Sequence, residues 1–243
     1  MIPKKIHYCW FGGKPLPASA EACIKSWAEK CPDYELIRWD EQNSSFESNL
    51  YAKQAYEARK WAFVSDYVRL KALWEHGGIY MDTDVEVLRA LDCFLDAAMF
   101  MGFESRERVA TCIIGAEPKH PFITALLETY RNSAFLQADG SCNCTTNVVR
   151  ITEELKNRGL RTNGALQSVE GIVIYPCAVF SPKSLGTGKI TLTPESCAIH
   201  HFDASWMTRS QKRHTRIAQL LGPKRAKTVA KLYRAIKGSG TAP

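Results

Sequence analysis

Two aspartates separated by one residue, Asp82-Thr83-Asp84, follow directly on Ile79-Tyr80-Met81, a run with the composition of a short buried strand. Carboxylates at i and i+2 past the end of a strand can converge on one divalent cation. Such a hard oxygen donor set suits Mg2+ or Mn2+ and leaves coordination positions for phosphate oxygens. In open α/β sheets the ligand crevice lies at the carboxyl ends of strands, where this pair would sit. Bare aspartate pairs recur by chance, so the neighbours carry weight. Ser65, Asp66 and Arg69 interrupt an apolar helical run of Trp61 to Val64, Tyr67, Val68 and Leu70. Asp66 and Arg69, three apart, share a helix face. They read either as a plain ion pair or as a sugar-binding pair, the carboxylate accepting from hydroxyls and the guanidinium donating to them.

Positioning these groups requires an alternating α/β chain. Residues 5–11 are rich in β-forming aromatics and stop at Gly12-Gly13, which reads as a first strand and turn. A helix is expected near 18–30, and a second strand over 34–39. That strand–helix–strand order predicts a parallel α/β unit. A long helix is expected over 50–76, stopped by Gly77-Gly78. Strand 79–81 follows, with 85–88 as its continuation. Further strands are expected at 100–103, 111–115, 172–175 and 198–202, helices at 121–131 and 152–158, and loops at 137–150 and 181–189. No internal repeat is present.

Composition agrees with a folded domain: of 243 residues 45% are apolar, 23% charged and 10% aromatic. No uncharged apolar run reaches the ~18 residues of a membrane span, and the first residues lack a secretory signal pattern. A cytoplasmic location is therefore expected. The nine cysteines are irregularly spaced with no CxxC pair. They are expected to be mostly buried small hydrophobes rather than zinc ligands or disulfides. Ten of the 32 Lys and Arg fall within 209–243, where there is no acid. The remaining 22 face 25 Asp and Glu, so residues 1–208 carry a net charge of −3. Val229, Leu232, Tyr233 and Ile236 form an apolar helical stripe within this basic tail. A basic amphipathic helix is expected to lie on an anionic membrane surface or to dock on the body. A nucleic-acid arm is the least favoured reading of the tail and no nucleic-acid partner is expected, because the body is acidic and carries no recognition motif.

Three segments in order, IPKKIHYCWFGGKPLP (2–17), WAFVSDYVRLKALWEHGGIYMDTDVEVL (61–88) and AIHHFDASW (198–206), resemble the DxD-containing sugar transferases of glycosyltransferase family 32. The pattern is most similar to bacterial capsular and surface-polysaccharide synthesis enzymes. It runs from residue 2 to about 206, and the basic tail lies outside it. The resemblance implies a GT-A fold over residues 1–208, a Rossmann-like α/β sheet that binds a nucleotide sugar through a divalent metal. It implies that Trp10 stacks on a nucleobase and that Asp66 and Arg69 hold donor-sugar hydroxyls. Asp82 would contact ribose and sugar or the metal shell, and Asp84 would ligate the metal. One histidine of His200-His201 would complete that shell. Neighbouring strand residues face opposite ways, and the pattern favours His200. Ser205 and Trp206 would close over the diphosphate. Two stretches depart from the pattern: Thr111-Cys112, where an Asn is often present, and Cys142 to Asn147, which lacks a Gly-Pro.

The function expected is transfer of a sugar, with retention, from a UDP-hexose or UDP-N-acetylhexosamine to a glycan acceptor. A lipid-linked oligosaccharide of bacterial surface-polysaccharide synthesis, met on the inner face of the cytoplasmic membrane, fits the basic tail. No protein base is assigned; Glu104 and Asp203 are the nearest guesses. The rival readings are a toxin-like transferase that modifies protein, a metal-dependent phosphotransferase or nucleotidyltransferase, and a non-catalytic nucleotide-sugar binder.

Overall fold

Aromatic and β-branched residues before Gly12-Gly13 form β1 (Lys5–Cys9), and the segment after Pro17 forms α1 (Ala18–Lys30), followed by β2 (Glu35–Trp39). The computed structural model describes residues 1–203. Next come α2 (Leu50–Glu57), α3 (Trp61–His76), β3 (Gly78–Met81), β4 (Val85–Val87), β5 (Met99–Ser105), β6 (Arg108–Val109) and β7 (Ile113–Ala116). The chain continues through α4 (Pro121–Arg131), α5 (Asn147–Asn157), β8 (Gln167–Val169), β9 (Ile172–Tyr175), α6 (Cys177–Phe180) and β10 (Ala198–His200).

The main sheet has the order β2-β1-β3-β7-β5-β9-β8, with β6 paired to β5. β1 runs parallel to β2 and β3, and β5 parallel to β9; β7 is antiparallel to both β3 and β5. Hence β1, β2, β3, β5 and β9 all present their carboxyl ends at one edge of the sheet. This is the mixed α/β architecture, helices flanking a mostly parallel sheet, that was expected.

Side-chain alternation divides the core between the two faces. Tyr80, Met99, Met101 and Phe103 pack with Tyr51, Val64, Val68 and Ile151 on one face. Ile79, Met81 and Phe100 pack with Trp27, Phe94 and Phe180 on the other. Before β3, Gly77 and Gly78 have φ of 62° and 104°. A Cβ on Gly77 would lie 2.6 Å from Pro118 Cδ, and one on Gly78 2.8 Å from the Lys5 carbonyl oxygen. Both positions therefore need glycine for conformation and for space.

Several expectations are corrected. The helix expected over 50–76 is two helices, broken where Arg59 adopts a left-handed φ of 56°. Its N–H bonds the Tyr56 carbonyl and the Lys60 N–H the Ala55 carbonyl, which closes α2. Residues 85–88 do not continue β3. A turn at Asp82, whose carbonyl accepts the Val85 N–H, sends β4 away to pair antiparallel with β10. The fifth helix begins at Asn147 rather than 152, and the first strand ends at Cys9 rather than 11. The last strand ends at His200. β6, β8 and α6 are too short to show in the pattern. Five of the nine cysteines, at 9, 23, 31, 112 and 197, are buried.

Contacts divide the chain into two units. The first, Met1–Pro182 with Leu192–His201, contains every helix and strand named above. The second contributes Lys183–Thr191 and Phe202–Asp203 to the described residues. Within it Lys183 and Ile190 form an isolated antiparallel bridge. The basic helix expected over 209–243 lies outside the described residues. Among the described residues no helix is long and apolar enough to cross a membrane.

Candidate active site

Asp82 is the first residue past β3, and its N–H is tied at 2.9 Å to the carbonyl of Cys112, the residue just before β7. Being two residues after Tyr80, it shares that residue's face of the sheet. Tyr80 donates its hydroxyl to Asp82 Oδ1 at 2.9 Å, and Arg69 Nη1 reaches the same oxygen at 3.2 Å. Both donors fall on Oδ1, so Oδ2 carries neither.

Asp84 is held from the other side by the two-stranded ribbon. The His201 N–H donates to the Asp84 carbonyl at 2.9 Å, and the His200 Nε2 lies 3.4 Å from Asp84 Oδ1. In the ribbon register His200 stands opposite Val85, and Ile199 opposite Glu86. Among the described residues Asp82, Asp84 and His200 each offer one ligand atom, all within 4.8 Å of one another. Two carboxylates and an imidazole fit a divalent cation of the Mn2+ or Mg2+ type, with positions left for further oxygen ligands. His201 points elsewhere: its Nε2 meets Glu86 Oε2 at 2.8 Å. The two histidine side chains therefore diverge, one to Asp84 and the other to Glu86. Burial disfavours the His200 imidazolium, but Cys112 and Asp84 outweigh it and hold its pKa above the ordinary histidine value.

Behind the aspartates lies a buried polar network. Asp66 and Arg69 are 7% and 5% exposed, which excludes a solvated ion pair. Arg69 Nη2 pairs with Asp66 Oδ1 at 3.1 Å, Nη1 also donates to the Thr111 carbonyl at 2.9 Å, and Nε to the Ser65 carbonyl at 3.2 Å. The guanidinium carbon lies 4.5 Å from the centre of the Tyr80 ring. Asp66 Oδ2 accepts the Asn147 N–H at 3.2 Å, and the Asn147 side chain donates to the Asp66 carbonyl at 2.6 Å. Burial pushes the Asp66 carboxyl up to about 6, against the pull of Arg69 and the Asn147 N–H. For Arg69, burial opposes the charge, yet Asp82, Tyr80 and Asp66 keep its pKa above the ordinary arginine value. Every Arg69 nitrogen thus has a protein acceptor, and the pair's first effect is to fix Asp82. The Thr111 contact is made by backbone, so the departure at that position leaves it intact.

Trp10 lies just past β1, at the same sheet edge. Its N–H bonds the Trp39 carbonyl at 2.9 Å and its indole N–H the Lys14 carbonyl at 2.6 Å. Ser205 and Trp206 lie outside the described residues. Tyr80 and Asn147 were not singled out from sequence; Tyr80 carried a signal, sitting two before Asp82 on one strand, whereas Asn147 bonds Asp66 from 81 positions away. Glu104, near the end of β5, is in electrostatic reach of the cluster. Burial raises its carboxyl pKa, His200 and Arg108 lower it, and Asp82 raises it.

Residues 17–101, which include Asp66, Arg69, Asp82 and Asp84, match the family model described as a glycosyltransferase sugar-binding region containing the DXD motif. Over 138 residues the chain is 30% identical to inositol phosphoceramide mannosyltransferase 3 of Schizosaccharomyces pombe, covering 55% of this chain and 38% of that protein. It is 28% identical over 228 residues to an uncharacterized glycosyltransferase of Acanthamoeba polyphaga mimivirus, covering 85% of this chain and 84% of the viral one. The chain therefore spans about two fifths of the yeast relative and most of the viral one. Among solved structures, a galactosyltransferase, LgtC, with donor and acceptor sugar analogues, aligns at a TM-score of 0.45 and 15% identity over 98% of this chain and 97% of that one. The family match and the named relatives support a transferase of the glycosyltransferase class.

Proposed function

We propose that this chain is a metal-dependent glycosyltransferase that moves a sugar, with retention, from a UDP-sugar to a glycan acceptor borne on a lipid. The observation that carries this reading is the convergence of Asp82, Asp84 and His200 beside the Asp66–Arg69 network, at the edge where strand ends open. In the reaction an acceptor hydroxyl attacks the anomeric carbon and the sugar–phosphate bond breaks. A divalent cation, when bound by Asp82, Asp84 and His200, offsets the charge that builds on the diphosphate. Tyr80 and Arg69 hold the Asp82 carboxylate in place for that task. Asp66 keeps lone pairs that a donor-sugar hydroxyl can use, and Trp10 offers a ring for the nucleobase. Ser205 and Trp206 are assigned to the diphosphate on the resemblance alone.

The lipid-borne acceptor is supported by the basic stripe of 209–243 and by the yeast relative, whose name places its action on inositol phosphoceramide. In this reading the tail holds the enzyme on the inner face of the cytoplasmic membrane. A bacterial surface-polysaccharide role remains within the proposal; the relatives described above come from a yeast and a giant virus.

The test is donor hydrolysis without acceptor, screening nucleotide sugars with Mn2+ or Mg2+. Release of UDP from one sugar, abolished by EDTA, is the expected result. Cleavage between the two phosphates, giving a nucleoside monophosphate and a sugar 1-phosphate, would instead identify the phosphotransferase or nucleotidyltransferase reading.

A further inference from the structure

Strand β5 carries a bulge at Glu104. Phe103 stands opposite Val109 and Ser105 opposite Arg108, so β5 fits one extra residue, Glu104, between two consecutive residues of β6. Such an insertion leaves its residue out of the ladder, re-aims its side chain and is favoured beside active sites. Among the described residues the Glu104 carboxylate makes no hydrogen bond and no ion pair. It is partly buried, whereas Ser105 to Arg108 after it are exposed. A carboxylate drawn partly out of water without a partner is costly, which calls for a reason outside the fold.

The sheet sets where this carboxylate lies. Met81 at the end of β3 stands opposite Ile113, and Phe100 of β5 opposite Gly115, two residues further along β7. Counting on in that register brings Glu104 close to the level of Thr83, between Asp82 and Asp84, with β7 separating the two strands. Neighbouring strands lie about 4.8 Å apart, so the gap from β3 to β5 is about 10 Å. Asp82 and His200 both act electrostatically on Glu104 across it. Thr111 and Cys112, which edge the gap, are buried and engaged: the Thr111 carbonyl accepts from Arg69, and Cys112 Sγ lies 3.8 Å from Ser181 Oγ. The order along the edge is thus Trp10 past β1, the Asp82–Asp84 turn past β3, and Glu104 near the end of β5. A nucleotide sugar with its base at Trp10 and its diphosphate at the aspartates has its sugar left to reach β5.

We propose that Glu104 selects the transferred sugar, accepting hydrogen bonds from its hydroxyls and turning away a sugar that bears a carboxylate. An ionised carboxylate has two acceptor oxygens and no donor, so it suits a neutral hexose or N-acetylhexosamine. A uronate would set like charge against it. This inference rests on the glycosyltransferase reading and adds to it the residue that reads the sugar.

The experiment is calorimetric titration of the full chain with Mn2+ present. The probes are UDP-glucose, UDP-galactose, their N-acetyl forms, GDP-mannose and UDP-glucuronate, with UDP and GDP as sugar-free controls. For the neutral donor bound best, Glu104→Ala should lower affinity at least tenfold, with Glu104→Gln between it and the native chain. Affinity for the matching sugar-free nucleotide should stay within about twofold, and neither variant should melt below the native chain. A purely structural role would move both of those controls. The ratio of UDP-glucose to UDP-glucuronate affinity should fall at least threefold in Glu104→Gln. If the alanine variant does not fold, the isosteric glutamine decides the matter. Unchanged donor affinity in both variants, or an equal loss for the sugar-free nucleotide, would overturn the assignment. An unchanged glucose-to-glucuronate ratio would remove the rejection of uronates. Mn2+-dependent nucleotide binding that ignores Glu104 loses only this inference. No such binding by the native chain removes the transferase reading, and this inference with it.

Discussion

The Tyr80 hydroxyl donates a 2.9 Å hydrogen bond to Asp82 Oδ1, two residues further along the same chain. That bond, with the Arg69 contact on the same oxygen, orients the carboxylate before any ligand arrives. A preoriented ligand lowers the ordering cost of binding. Tyr80→Phe keeps the ring beneath Arg69 and removes only the donor. A net hydrogen bond of this kind is worth about 1 kcal/mol, so Mn2+ affinity should fall roughly fivefold with little change in melting temperature. Calorimetric titration with Mn2+ checks this; an unchanged affinity would show that the hydroxyl does not orient Asp82.

Arg69 is a structural cation as much as a site residue. Removing it leaves Asp66 without its ion-pair partner in the interior. Arg69→Met should cost about 3–5 kcal/mol in urea unfolding, the range for breaking one side of a buried pair. Arg69→Lys should recover little, since one ammonium cannot reach Asp66, Asp82 and the Thr111 and Ser65 carbonyls together. A lysine variant as stable as the native chain would contradict this network.

Stability should respond to acid through His7. This fully buried ring accepts the Trp39 indole N–H on Nδ1 at 3.0 Å, so Nε2 carries the proton and donates to the Gly77 carbonyl at 2.8 Å. Burial lowers its pKa from 6.5 to about 4, the Gly77 bond acting against that and His76 adding to it. A base with a depressed folded pKa binds its proton more readily when unfolded. Stability is therefore full above the unfolded value and is lost as pH falls from about 6.5 towards 4, by up to about 3 kcal/mol. Urea midpoints at pH 7, 5.5 and 4 should show this loss, and His7→Gln should flatten it. An equal slope in both proteins would remove His7 as the cause.

The ten cations of 209–243 are proposed to hold the chain on anionic lipid. Each cation near such a surface is worth about 1 kcal/mol, within a screening length. Deleting 209–243 should abolish co-sedimentation with phosphatidylglycerol vesicles. Sedimentation of the truncated chain would place the contact elsewhere.

Much of this site was legible because its parts are local. The Asp82–Asp84 spacing, the Asp66–Arg69 helix face and the glycine stop before β3 each lie within one or two turns of chain. The break between α2 and α3 was hidden because Arg59, not a glycine, takes the left-handed conformation. The departure of β4 from the main sheet depends on β10, more than a hundred residues away. The Asn147–Asp66 bonds span 81 positions, and no periodicity reports such a contact.

The central claim is that Asp82, Asp84 and His200 hold one divalent cation while His201, turned to Glu86, does not. Mn2+ binding followed by electron paramagnetic resonance tests it directly in the native chain and in the Asp84→Ala, His200→Ala and His201→Ala variants. One ion per chain is predicted, with affinity lost in Asp84→Ala, reduced at least tenfold in His200→Ala and within about threefold of native in His201→Ala. Native-like affinity in both Asp84→Ala and His200→Ala would contradict the account.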